Sequence, residues 1–232
     1  MSFDQIKAQL AAYVGRSQSA FIVNGVDLLG MAVNNARKFA ERKRHFELAR
    51  CSVILPSVST TTGASLSSAV ALDGTTPVAV KAIERAYLTD SSGGQFPIEV
   101  TSRARYTGRV GARYAEVGRL NETIQRADVS YFALVQQGET VFVAPAPDTN
   151  PFVLTLDVVR WMPEYRLPTD EDFFLQHGAD FLLYRSILEL NFLLKEDQRV
   201  VIGSQAVDQA WVSLVDWDSQ LVDGGVDSVN LD

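Results

Sequence analysis

Two histidines, one cysteine and a short run of acids are the residues of this chain best suited to chemistry. His45 lies in a basic run with Arg42, Lys43 and Arg44, and His177 lies beside Gly178 at an expected helix break. A Ser-His-Asp or Cys-His centre needs one of these imidazoles buried beside a nucleophile, and no motif in the chain arranges that. Zinc needs more Cys and His than are present, and no EF-hand loop occurs. Asp170, Glu171 and Asp172 form a carboxylate cluster, yet acids gather at helix N-termini because the positive end of the helix dipole favours them. The chain therefore does not read as an enzyme, and no catalytic residue, metal ligand or cofactor is expected.

Two groups of cations remain. Arg103, Arg105, Arg109, Arg113 and Arg119 recur among Gly108, Gly111 and Gly118. A phosphate cradle needs G-x-x-x-x-G-K-[ST] or G-x-G-x-x-G after a strand, and neither pattern is here. The stretch reads as a mobile loop or as a short helix around Tyr114–Arg126, and the favoured reading is an exposed arginine loop that contacts another subunit or DNA. Arg37, Lys38, Arg42, Lys43 and Arg44 crowd one helix end. They read either as a face for DNA or an acidic partner, or as a solvated helix end whose cations suit the dipole.

The elements that must position these residues begin with a C-terminal helical hairpin over 169–221. Leu183, Ile187, Leu190 and Leu194 keep a 3.6-residue period, with Phe181, Tyr184 and Leu188 as a second apolar row. Such a helix is covered from two sides. Lys195-Glu196-Asp197 breaks it, and Val200, Val207, Trp211, Leu214 and Leu221 form the stripe of an antiparallel partner. Thr169 is the expected cap of the first helix. At the other end of the chain, Ser2 and Gln5 form a capping box, Phe3, Ile6, Leu10 and Tyr13 a stripe, and Gly15 a helix stop. A longer helix is expected from about Asn24 to Leu48, with Gly30 allowing close packing. Between lie strand-like runs: Ser52–Leu55, Ala69–Leu72, Val78–Leu88, Pro97–Thr101, a hairpin of 131–135 with 140–143 around Gly138, and Phe152–Trp161. Residues 57–68 are almost all Ser, Thr, Gly and Ala, and read as a flexible loop or an insertion with nothing to bury.

This order gives an α+β fold class: an α-helical bundle, made of N-terminal helices and a C-terminal helical hairpin, with an inserted β-rich lobe. The expected divisions are 1–50, 51–168, 169–221 and an extended acidic tail at 222–232. Gly224-Gly225 is expected to break the last helix. The tail, Val226-Asp227-Ser228-Val229-Asn230-Leu231-Asp232, is either plain disorder or a segment that orders on a partner.

Charge is uneven. The net charge of −7 divides into +4 over residues 1–50, −2 over 51–165 and −9 over 166–232. An acidic hairpin repels nucleic acid rather than gripping it. A single cysteine excludes an internal disulfide. The opening Met1–Gln5 has no signal-peptide character and no apolar run would span a membrane, so a soluble protein is expected.

Taken in order, these pieces resemble the head-to-tail connector adaptor proteins of tailed bacteriophages. The likeness rests on an N-terminal helix pair with Phe46 after the basic run, and on Val53-Ile54-Leu55-Pro56 ending the first strand. It continues in Val141-Phe142-Val143-Ala144-Pro145-Ala146-Pro147, the aromatic-ended strand through Trp161, and the helical hairpin. The hairpin carries Ala179-Asp180-Phe181-Leu182-Leu183-Tyr184 and Leu193-Leu194-Lys195-Glu196-Asp197. Ser57-Val58 stands where that family often has an acidic residue. The resemblance implies a ring of copies, commonly twelve, beneath the portal at the virion neck, made in the host cytoplasm. It implies helices lining a channel for genomic DNA, a tail or neck protein below, and the segment Val226–Asp232 reaching up to the portal. A DNA-binding protein using the basic helix end and the 103–119 loop is the alternative.

Overall fold

The computed structural model describes residues 1–55, 64–89, 95–102, 133–144, 153–194 and 200–227. They divide into two compact units. One joins Met1–Leu48 to Pro163–Asp232, and the other is Ala49–Met162.

The first unit is helical. Helix α1, Phe3–Val14, begins at the Ser2–Gln5 capping box and ends at Gly15, whose φ of 73° only glycine adopts cheaply. Its first amides find acceptors too, since Phe3 N donates to the Asp170 carbonyl and Asp4 N to that of Pro168. The expected long helix is shorter than its pattern suggested. Residues 22–27 form instead a two-stranded ribbon, β1 (Ile22–Val23) and β2 (Val26–Asp27). Asn24 and Gly25 both hold positive φ, the backbone of a type I′ turn. Helix α2, Leu28–Lys43, then starts on Asp27, which accepts from Gly30 N. Leu29, Val33, Ala36 and Ala40 are buried on it, whereas Val26 and Tyr13 are exposed.

The cap after Pro168 is Asp172, which accepts from Leu175 N, and not Thr169. Helix α3, Phe173–His177, stops at Gly178, and α4, Ala179–Leu194, follows. A Cβ at Gly178 would meet Leu214 Cδ1 at 3.0 Å, so this break is also a close approach to the next helix. Helix α4 lies between α2 and α5 and touches α1 as well, and between 181 and 190 none of its residues is exposed. Helix α5 is Val200–Asp227. It runs through Gly224-Gly225, so the expected break at that pair and the extended tail from 222 are corrected. A helix tolerates two glycines at a cost of about 1 kcal/mol each. Going back from Phe181 to Phe173, the ring partners on α5 advance from Trp211 to Trp217, which makes the pair antiparallel.

The second unit is one mixed sheet of eight strands among the described residues. In chain order these are β3 (Arg50–Leu55), β4 (Ala64–Ser65), β5 (Val70–Ala71), β6 (Val80–Thr89), β7 (Gln95–Ser102), β8 (Ala133–Gln137), β9 (Thr140–Ala144) and β10 (Val153–Arg160). Their spatial order is β4-β9-β8-β7-β6-β10-β3-β5. All neighbours are antiparallel except β7 and β8. The hairpin of β8 and β9 turns at Gly138, φ 62°.

The two edge strands, β4 and β5, come from one short segment. Flat, eight strands would hold their edges about 34 Å apart at the usual strand spacing. Five residue steps from Ser65 to Val70 reach at most about 17 Å. The sheet must therefore curl until its edges nearly meet, with Ala64–Ala71 sewing them together. Ala64, Leu66 and Ala69 point into the core with Leu55, Leu134 and Leu154.

These findings overturn the expected fold class. The chain is a mixed α/β structure with a large curled sheet, not an α-helical bundle with an inserted β-rich lobe. The reading failed where it took 57–68 for a loop without a core role. Leu66 and two small alanines suffice to close the sheet, because the interior of a curled sheet is narrow there. Residues 56–63, the 90–94 turn and most of the 102–128 stretch lie outside the described residues.

Candidate functional site

The basic end of α2 does not present one cationic face. Arg37 is fully buried. Its Nη1 donates to the Pro163 carbonyl, and its guanidinium lies 4.9 Å from the Tyr165 ring centroid. It is withdrawn from any surface that DNA or a partner would touch, which corrects its place among the expected contact residues. Lys38 pairs with Glu164, and that hydrogen bond holds the Glu164 carboxyl below its usual range. Lys43 lies over Phe39, 4.6 Å from the ring centroid, and 5.8 Å from that of Trp211. Arg44 donates to Asp218 Oδ2 at 2.8 Å and to Ser219 Oγ at 3.0 Å. Arg42 is exposed. Helical geometry scatters these side chains because five cations within eight residues occupy every side of a 3.6-residue period. Arg103, Arg105, Arg109 and Arg113 lie outside the described residues.

Around Arg37 is a partly buried polar cluster that periodicity alone did not reveal. Asn34 clamps the Tyr165 backbone, accepting its N–H at 3.0 Å and donating to its carbonyl at 3.1 Å. The Tyr165 hydroxyl donates to Asp172 Oδ1 at 2.5 Å. Burial pushes the Asp172 carboxyl up, opposed by that hydroxyl, by Leu175 N and by Arg37. Burial and the neighbouring carboxylate push the phenol up as well. The arrangement holds α3 against α2.

The nucleophile inventory stays dispersed. His177 is exposed and stacks on Trp217 with ring centroids 4.1 Å apart. His45 is exposed. Cys51 is half-buried in β3, where burial raises its thiol pKa and Arg160 partly offsets this. Ser52 donates to Asp157 at 2.7 Å, a cross-strand pair within the sheet. Asp170 closes a turn by accepting from Arg166 N and Leu167 N, which lowers its pKa. Among the described residues no group of His, Cys, Asp or Glu is placed to hold a metal ion.

Two surfaces of the helical unit stand out instead. Helix α5 carries five Asp and no Lys or Arg in its 28 residues, and Asp208, Val212 and Asp216 share its exposed face at i, i+4, i+8. The β1–β2 ribbon exposes Ile22, Val23 and Val26, at 58%, 48% and 49%. The signal for the ribbon was in the sequence, as Asn24-Gly25 between β-branched residues. Asp218, at 1% exposure, had no such signal. Of the tail, Val226 and Asp227 belong to the last turn of α5, and Ser228, Val229, Asn230, Leu231 and Asp232 lie outside the described residues. No described helix is long and apolar enough to cross a membrane.

No family model matches the chain, and no curated protein matches it.

Proposed function

We propose that the chain is a virion structural subunit, one copy of an adaptor ring that joins a capsid portal to a tail and forms part of the DNA channel. The observation that carries this reading is α5. A conduit wall must let DNA slide, so it has to avoid tight phosphate contacts, and a 28-residue helix that has no Lys or Arg and exposes Asp208 and Asp216 does so. The order of motifs that resembles the connector adaptors supports the same reading.

On this reading the partners are further copies of the chain, commonly twelve in the family it resembles, a portal above and a tail or neck protein below. Genomic DNA passes without sequence-specific binding, at the virion neck. The segment from Val226 to Asp232 engages the portal, beginning on the last turn of α5. The alternative, a DNA-binding protein, loses Arg37 to the interior and Lys38 and Arg44 to acids. It rests on Arg42 and the 103–113 arginines.

Native mass measures the reading directly. The purified chain, alone or with portal added, is expected to form a large closed oligomer. A monomer or dimer under both conditions overturns the ring. Deleting Val226–Asp232 is expected to weaken portal binding while helical content is kept, and unchanged portal affinity retires that role for the tail.

A further inference from the structure

The apolar stripe of α5 falls on every seventh residue, Val207, Leu214 and Leu221. Val207 and Leu214 are buried, at 7% and 1% exposure, whereas Leu221 is 36% exposed. The change comes just after Asp218 and Ser219, which tie α5 to Arg44 and to Glu47 N. Val222 is 49% exposed, and so is Leu48, next to Glu47, at 47%. Single exposed leucines are ordinary, but three apolar side chains gathered about one anchoring point make the kind of patch that marks an interaction site. Helix α5 continues for nine residues past Asp218, about 14 Å.

We propose that this patch, carried on the end of α5 as a helix, docks in an apolar groove of the portal rimmed by Lys or Arg. This rests on the adaptor reading above and moves the start of that contact from Val226 back to Leu221. Charge selects the rim. No Lys or Arg follows Arg199, while Asp216, Asp218, Asp223, Asp227 and Asp232 fall within the last 17 residues. Asp218 pairs with Arg44, and the rest make a negative field that cations on a partner complement. The same field turns away nucleic acid and anionic membrane.

The helix selects the mode. Because α5 is helical through Gly224-Gly225 to Asp227, the portal meets an apolar helix end, as in helix-in-groove recognition, and not a strand added to a sheet. The channel face stays open, since Leu221 lies nine positions beyond Val212 and therefore on the opposite side of the helix.

Calorimetric titration with purified portal of the same virion tests the contact. Leu221→Gln with Val222→Gln puts good helix formers at both positions and should weaken binding at least about tenfold, with circular dichroism and Tm unchanged because both side chains are exposed. Gly224→Ala with Gly225→Ala favours the helix before binding and should tighten it about threefold or more. Rising salt should weaken wild-type binding, and indifference to salt overturns the basic rim. Glycine replacements that weaken binding would mean that the portal takes this segment unwound, and would overturn the proposal. Unchanged affinity of the glutamine variant overturns it too, and leaves the tail reading standing if deleting Val226–Asp232 still weakens binding. A glutamine variant that loses ring assembly in the absence of portal would mean that the patch meets a second copy, which also overturns it. A wild type with no affinity for portal overturns both.

Discussion

Asp218 illustrates how a single side chain joins distant parts of the sequence. Its two oxygens take Arg44 Nε at 2.8 Å and Glu47 N at 2.7 Å, so it pins α5 to the exit of α2. Asp218→Ala removes the acceptor shared by Glu47 N and Arg44 Nε, and is expected to cost about 3 kcal/mol, measured by urea unfolding. Asp172 gives a pH-dependent expectation. Burial raises its carboxyl, so the native state keeps a proton that the unfolded chain releases near pH ~4. Its contribution is present below that pH and is lost as pH rises through the native value. Asparagine keeps both the helix cap and the acceptor for Tyr165 without the charge. Asp172→Asn should therefore match the wild-type Tm near pH 3 and exceed it progressively as pH rises. A Tm difference that is flat across pH would contradict this.

At the scale of elements, Gly30 and Leu66 decide how pieces fit. A Cβ at Gly30 would lie 2.9 Å from Asp27 Oδ2 and 3.1 Å from Phe3 Cζ. Asp27 cannot move aside freely, because it caps α2 and binds Lys7. Gly30→Ala gains about 1 kcal/mol of helix propensity but disturbs the cap and the α1 contact, so a net loss of about 1 kcal/mol is expected by thermal unfolding. Leu66 lies in the seam that sews β4 to β5, and its amide donates to the Glu139 carbonyl at 2.7 Å. Leu66→Ala should cost about 3 kcal/mol, with unfolding followed by urea titration. If the seam were a plain surface loop, the cost would be near zero.

At the scale of the whole molecule the acidic helix and the dispersal of the α2 cations bear on nucleic acid. With Arg37 buried and Lys38 and Arg44 paired, the basic end of α2 has few cations left for phosphates. A gel shift at low salt is expected to stay negative, and a salt-sensitive shift would revive the DNA-binding alternative. The acidity of 166–232 was visible in composition alone. Which of those acids face water was not, since Asp208 and Asp216 are exposed while Asp218, two positions on, is buried.

The chain's own order of residues was enough to locate most individual elements. Capping at Ser2, the stop at Gly15, the turn at Gly138 and the apolar period of α4 act within a few residues, so their physics is local. Asn24-Gly25 was legible by the same local rule, though periodicity carried a helix across it. Tertiary structure alone decided that eight short strands close into one curled sheet through Ala64–Ala71. It alone placed Arg37 inside and gave Asp218 a cation 174 residues away in sequence. Those outcomes depend on which surfaces meet, and a residue type carries no record of a neighbour so distant along the chain.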